Sequence, residues 1–223
     1  MSRSTERAVS NRQGWARPLR LSLRATMLLV LVTGGWTGWF IRSAKLQRDA
    51  VAAVERGGGN VQYNWQFKDG RAIPYREQRP PWPARLVRLV GVDYFGYVTK
   101  AENVSPGNAG AGLGSIGYLR GLEELQLGGF LVTDDGLRHL RNLTSLRRLD
   151  LSSCDVTDQG LFHLKGLTAL EVLDLHRTWV SDAGLAHLKG LTNLRTLNLE
   201  ETQVSSTGIR ELKQALPATT IIH

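Results

Sequence analysis

Three groups of residues have types and spacing that could do chemistry. Gly112, Gly114 and Gly117, inside "GAGLGSIG" at 110–117, stand in the G-x-G-x-x-G order that brings backbone close to a dinucleotide pyrophosphate. His139, His163 and His187 recur every 24 residues, as a ladder of imidazoles that could offer nitrogen to a metal. Cys154 is the single cysteine, so a thiol nucleophile is available but neither a disulfide nor a CxxC metal or redox pair is. No Ser/His/Asp grouping or carboxylate pair with a catalytic context stands beside them, and an enzyme is not expected.

Each group meets a simpler explanation once the elements that must position it are read. From residue 117 the chain repeats without gaps in four rows of 24: "GYLRGLEELQLGGFLVTDDGLRHL", "RNLTSLRRLDLSSCDVTDQGLFHL", "KGLTALEVLDLHRTWVSDAGLAHL" and "KGLTNLRTLNLEETQVSSTGIREL". Leucine fills the columns 122/146/170/194, 125/149/173/197 and 127/151/175/199, and valine fills 132/156/180/204. The L-x-L core alternates with period two, which predicts a short strand with leucines inward. In row two, Thr157 and Asp158 begin a short helix as cap and first-turn residues, with Leu161 and Leu164 on one face. One strand-turn-helix row cannot bury its own apolar edge, whereas four stacked rows share a core.

Running the register back makes 93–116 a degenerate row, in which Gly112, Leu113 and Ile116 align with Gly136, Leu137 and Leu140. A dinucleotide fingerprint would follow a buried strand and place an acid about 20 residues on. The upstream "TKAENVSPGNA" is a weak strand, and Asp134 and Asp135 already belong to a row, so no nucleotide is expected. Cys154 shares its column with Phe130, Thr178 and Thr202, which predicts an inward, structural thiol. The histidine column lies on the helical side, where neighbouring helices pack about 8–10 Å apart. That spacing keeps the imidazoles from sharing an ion, and neither metal nor cofactor is expected.

The rows resemble leucine-rich repeats. With an N-terminal apolar segment, an "AVAAVERGGGNVQYNW" stretch and repeats carrying V-T-D-x-G-L-x-x-L, the whole chain is similar to small membrane-anchored leucine-rich-repeat proteins that some bacteria encode in many copies. The rows are also similar to the cysteine-containing repeats of F-box substrate receptors, but no F-box segment precedes them, so ubiquitin-ligase function is not implied. The resemblance implies an α/β repeat solenoid that binds through its strand face without catalysis. Outward positions on that face are Gln126, Asp150, Asp174 and Asn198, then Gly128, Ser152, His176 and Glu200. Trp179, beside Arg177 and His176, is the candidate anchor for a protein or peptide. The bland alternative is that the Asp and Asn residues of this face are only solvated strand residues.

The remaining segments set the context. The chain carries +8, but residues 1–56 hold ten Lys/Arg against three Asp/Glu, or +7, which leaves +1 for the rest and no basic surface suited to nucleic acid. Residues 25–41, "ATMLLVLVTGGWTGWFI", pass without charge between Arg24 and Arg42. As a helix they span about 25 Å against a hydrocarbon core of about 30 Å, which arginine snorkelling can cover, and we read them as a transmembrane helix, with a cleaved signal as the alternative. Six arginines before it against four Lys/Arg after it place the N-terminus in the cytoplasm and the repeats outside. The expected organisation is a basic tail (1–24), the membrane helix (25–41) and a linker with short helix and strand (42–82). A cap and degenerate row (83–116), the four rows (117–212) and a C-terminal cap (213–223) follow. A second function stays open: an envelope assembly element, in which the anchor and the alternating 61–67 strand associate and the repeats act as spacer.

Overall fold

The computed structural model describes residues 23–68, 71–72, 97–102, 111–129 and 131–223. It divides into two compact units, Met1–Trp39 and Phe40–His223, and the second contains the solenoid.

Seven strands form one sheet in the order β1 (Asn60–Tyr63), β4 (Val98–Glu102), β5 (Glu124–Gln126), β6 (Arg148–Asp150), β7 (Val172–Asp174), β8 (Thr196–Asn198) and β9 (Thr220–Ile222). From β4 onward all pairs are parallel and in register at 24 residues: Ala101 opposes Leu125, then Leu149, Leu173, Leu197 and Ile221 follow. The strands are three to five residues long because L-x-L supplies only two inward side chains before the chain must turn. Leu125, Leu149, Leu173 and Leu197 are buried to 1% or less. Each such leucine contributes about 1.5–3 kcal/mol by leaving water. The degenerate row is a true row, with Ala101 in the leucine column of β4 and α2 (Ala111–Ile116) burying Leu113 and Ile116.

Short helices line the other side: α3 (Asp134–Leu137), α4 (Asp158–Leu161) and α5 (Asp182–Leu185), the last two continuing into single 3₁₀ turns ending at Leu164 and Leu188. The fourth row differs, because α6 (Ser206–Ala215) runs for ten residues and buries Leu212 over the end of the core. Ile221 of β9 then closes the leucine column, as its spacing predicts.

The other end is closed by residues that sequence assigned to a linker. The long helix α1 (Leu23–Arg56) buries Ala50, Val51 and Val54 in the same core as the repeat leucines, and stops where Gly58 takes φ +81°. β1 then pairs antiparallel with β4, and Tyr63, Val61 and Trp65 pack on the core. The alternating run 61–67 is therefore not one strand: it turns at Asn64–Gln66, and β2 (Phe67–Lys68) pairs antiparallel with β3 (Arg71–Ala72). The cap helix expected after Pro83 falls outside the described residues.

No helix among the described residues is long and apolar enough to cross a membrane, so the transmembrane helix expected over 25–41 is not found. The reason lies in its composition. Only 27–32, "MLLVLV", is continuously apolar, 33–39 is "TGGWTGW", and arginines close the uncharged run at seventeen residues, short of the roughly twenty that span a bilayer.

Candidate functional site

Each row turns sharply after its strand, and that turn decides where the predicted face residues point. In row two, Asp150 accepts the Ser152 N–H at 2.9 Å and the Ser152 hydroxyl at 2.7 Å. Asp174 accepts the His176 N–H at 2.9 Å, and Asn198 accepts the Glu200 N–H at 3.1 Å. These are local turns in which a short polar side chain caps the amide two residues on. Gln126, whose side chain is one carbon longer, instead donates to Glu124 at 3.2 Å. The next column, Ser153, Arg177 and Glu201, has φ of 56°, 57° and 53°, where row one has Gly129 at 78°. Left-handed backbone at a non-glycine residue costs about 1–2 kcal/mol, so three rows hold strained turns at the rim of the face.

The face that results is open, acidic and edged by apolar side chains. Asp150 and Asp174 oppose each other in register, and among the described residues neither makes an ion pair. Asn198 donates to the outer oxygen of Asp174 at 3.4 Å. At the N-terminal end Lys100 bridges Glu102 at 2.5 Å and Glu124 at 2.9 Å. Burial opposes the Lys100 charge, but the hydrogen bonds to both glutamates outweigh it and hold its pKa above 10.5. A cavity of about 360 Å³ opens there between Gln62, Tyr97, Lys100 and Glu124. Beyond the turns Arg177 pairs with Glu201 at 2.8 Å, and Trp179 stands 60% exposed. Leu131, in the same column as Trp179 two rows earlier, is 76% exposed and was missed as a site candidate, although its column was legible. The structure thus brings Asp150, Asp174, His176, Asn198 and Glu200 onto one face with Arg177 and Trp179 at its rim, while Gln126 lies at the end nearer Lys100.

A second column of aspartates, on the helical side, is consumed by the fold. Asp134 accepts the Thr157 N–H at 2.8 Å and its hydroxyl at 2.6 Å. Asp158 does the same for Ser181, and Asp182 for Ser205, at the same distances. Each Ser or Thr then caps its own helix by accepting an amide at 3.3 Å in rows two and three. The glycine two residues after each such aspartate position is required for the same reason. A Cβ on Gly160, Gly184 or Gly208 would lie 2.2–2.3 Å from the carboxylate oxygen of the preceding row.

The chemistry-bearing residues of the sequence fall elsewhere. Cys154 is buried at 2% exposure and its thiol donates to the Leu127 carbonyl at 3.3 Å, as an inward structural cysteine should. Thr178 and Thr202 in the same column donate to Leu175 and Leu199 carbonyls at 2.7 and 2.6 Å. His163 and His187 flank the Phe162 ring edge-on, with centroids 5.7 and 5.6 Å away, and Lys165 lies 3.9 Å above that ring. Among the described residues no three His, Cys, Asp or Glu are grouped closely enough to hold a metal ion. Gly117 packs its α-carbon against the His139 carbonyl, which a Cβ would approach to 2.6 Å. Its glycine is explained by packing.

The period, the parallel register and the inward leucine columns leave one description of this architecture. A family model, "Leucine Rich repeat", matches residues 142–164, which is row two without its first residue: its strand, turn and helix. Row two thus matches a leucine-rich repeat, and the other three rows carry the same leucine columns. No curated protein matches the chain. Among solved structures, internalin C2 from Listeria monocytogenes is similar at 27% identity and TM-score 0.42, over 49% of this chain and 45% of that one. This chain therefore spans about half the length of that protein. A leucine-rich-repeat protein from Leptospira interrogans has 19% identity and TM-score 0.37 over 49% and 33% of the two chains. The leucine-rich-repeat ectodomain of the Arabidopsis thaliana receptor kinase SOBIR1 has 15% identity and TM-score 0.44 over 80% and 91%. Superpositions this partial bear on neither ligand nor partner.

Proposed function

We propose that the leucine-rich repeats form a protein- or peptide-binding module whose partner lies across the strand face and is anchored at Trp179. The observation that carries this reading is the exposed indole of Trp179, with Leu131 exposed two rows away, at the rim of a sheet face that no described segment covers. Strands about 4.8 Å apart put these two apolar anchors about 10 Å from one another, which three residues of an extended peptide span. Trp is among the side chains that most often dominate protein association when a partner buries it. The carboxylates of Asp150 and Asp174 suit a partner segment bearing Lys or Arg. Catalysis forms no part of the proposal.

The test is affinity capture from the native source with the full chain and with a Trp179→Ala/Asp174→Asn variant, quantified by mass spectrometry. Loss of a defined set of captured proteins supports the binding face. Retention of the whole set favours the alternative in which the repeats act only as spacer. That alternative has lost one of its supports, since residues 60–63 pair with β4 of the same chain.

Tethering to a membrane through residues 25–41, with the N-terminus cytoplasmic and the repeats extracytoplasmic, is a separate part of the proposal. It is supported by the uncharged run and its flanking arginines alone. Protease treatment of intact cells carrying a C-terminal tag, with the membrane fraction as control, tests it. Digestion of a membrane-bound tag is the expected result, and a tag in the soluble fraction would remove this part while leaving the binding face untouched.

A further inference from the structure

On the helical side, at the junction between the degenerate row and row one, two glycines open a space that other rows fill. Gly114 occupies the column of Arg138 and Phe162, and Gly117 that of Arg141 and Lys165. Two rows on from Gly114, the Phe162 ring covers His187 at 5.6 Å between centroids. Gly114 leaves the corresponding place over His139 empty, and a cavity of about 220 Å³ results, lined by both glycines, Tyr118, Arg138, His139 and Arg141.

The charge around this cavity is positive and poorly answered. Arg138 makes one ion pair, a 3.8 Å contact with an Asp135 that is itself 91% exposed, and among the described residues Arg141 makes none. The Arg138 Nε–H donates to His139 Nε2 at 3.4 Å. Exposed pairs of this length contribute little, so both guanidinium groups retain donors for another acceptor. Two guanidinium groups three residues apart over a recess are suited to a tetrahedral oxyanion, which they can hold by paired N–H···O bonds.

We propose that the Gly114–Gly117 recess binds a phosphate group, held by Arg138 and Arg141 where, among the described residues, Gly114 contributes no side chain to cover it. The group is either free phosphate or a phosphoester, or the headgroup of an anionic phospholipid. His139 reports on occupancy. Its pKa is held below 6.5 by burial and then by the Arg138 and Arg141 charges, with Asp135 opposing them, and a bound anion would offset those charges.

The experiment follows the His139 imidazole of the full chain by NMR through a pH titration, with inorganic phosphate compared against chloride at equal ionic strength, since salt alone screens the arginines. Phosphate is expected to raise the His139 midpoint in a saturable way, where chloride does not. Arg138→Gln/Arg141→Gln should weaken the effect about ten-fold or more. Gly114→Leu should abolish it with both arginines in place; its Cβ meets only the His139 ring at an ordinary 3.7 Å, and an unfolding curve that matches the parent chain's shows that the fold is kept. A parallel arm uses vesicles of phosphatidylcholine with and without phosphatidylglycerol. A rise of the His139 midpoint on the anionic vesicles that Gly114→Leu abolishes assigns the site to lipid headgroups, and a response to phosphate without one on vesicles assigns it to free phosphate or a phosphoester. Vesicle binding as such is not the readout, because the basic residues 1–56 attract an anionic surface by themselves. Equal shifts in phosphate and chloride, or a phosphate response unchanged by Gly114→Leu, would overturn the site.

Discussion

Two columns of aspartate run along the solenoid at the same 24-residue period, and they behave differently. On the helical side Asp134, Asp158 and Asp182 each accept two hydrogen bonds from the next row, so the charge is spent joining one repeat to another. On the strand face Asp150 accepts only from its own turn, Asp174 accepts from its own turn and, at a long 3.4 Å, from the Asn198 amide, and Asn198 makes the same turn in row four. The turn needs an oxygen acceptor and has no use for a charge. Like charges in register on adjacent strands are destabilising, and among the described residues no ion pair offsets the two strand-face carboxylates. A periodic acid in a repeat protein is thus structural where a partner in the next row receives it, and available where only its own turn does.

Crowding the helical column should have the largest effect on this contrast. Gly184→Ala would push a Cβ against the Asp158 carboxylate at 2.3 Å and is expected to cost about 2–3 kcal/mol in urea unfolding. Gly166→Ala, whose nearest neighbour is a carbonyl at 3.9 Å, should cost well under half of that, and equal losses would remove the inter-row contact as the reason for the glycine. Next, Asp158→Ala leaves the Ser181 amide and hydroxyl without their acceptor and should cost about 1–2 kcal/mol by the same measurement. On the strand side, Ser153→Gly relieves a left-handed residue and should stabilise by up to about 1 kcal/mol. Ser145→Gly, at a position outside the left-handed set, should give no such gain.

Acid separates individual members of these rows. Folding lowers the pKa of His139, chiefly by burial, and that of Asp182, through hydrogen bonds from the Ser205 hydroxyl and amide. For both groups the unfolded chain binds more protons, so the stability they contribute is present above the ordinary values and is lost as pH falls through the folded ones. Thermal unfolding is expected to move to lower temperature below about pH 6.5 and again below about pH 4. His139→Gln should remove the first step and Asp182→Asn the second; two steps that persist in both variants would assign the losses to other groups.

Much of the fold is legible in the sequence because period and register are the same fact. Once the leucine columns align at 24 residues, parallel strands, inward cysteine and closing Ile221 follow without further information. The N-terminal cap was less legible. Ala50, Val51 and Val54 form a helical face that reads equally well as part of a linker helix, and only the partner surface of the first row decides that it is buried. The candidate site was legible as a list of outward columns, but the turns within it were not. A sequence shows Asp150 and Asp158 eight residues apart in one row with nothing to mark which of them the next row will bind, until the Ser or Thr 23 residues after the second is recognised as its partner.

The most direct measurement is urea unfolding of Asp174→Asn beside Asp158→Asn, isosteric changes that remove one charge from each column. Asp158→Asn is expected to lose stability, by about 1 kcal/mol, while Asp174→Asn is unchanged or more stable. If Asp174→Asn loses as much as Asp158→Asn, the strand-face charge is structural, and the acidic part of the binding face has no basis.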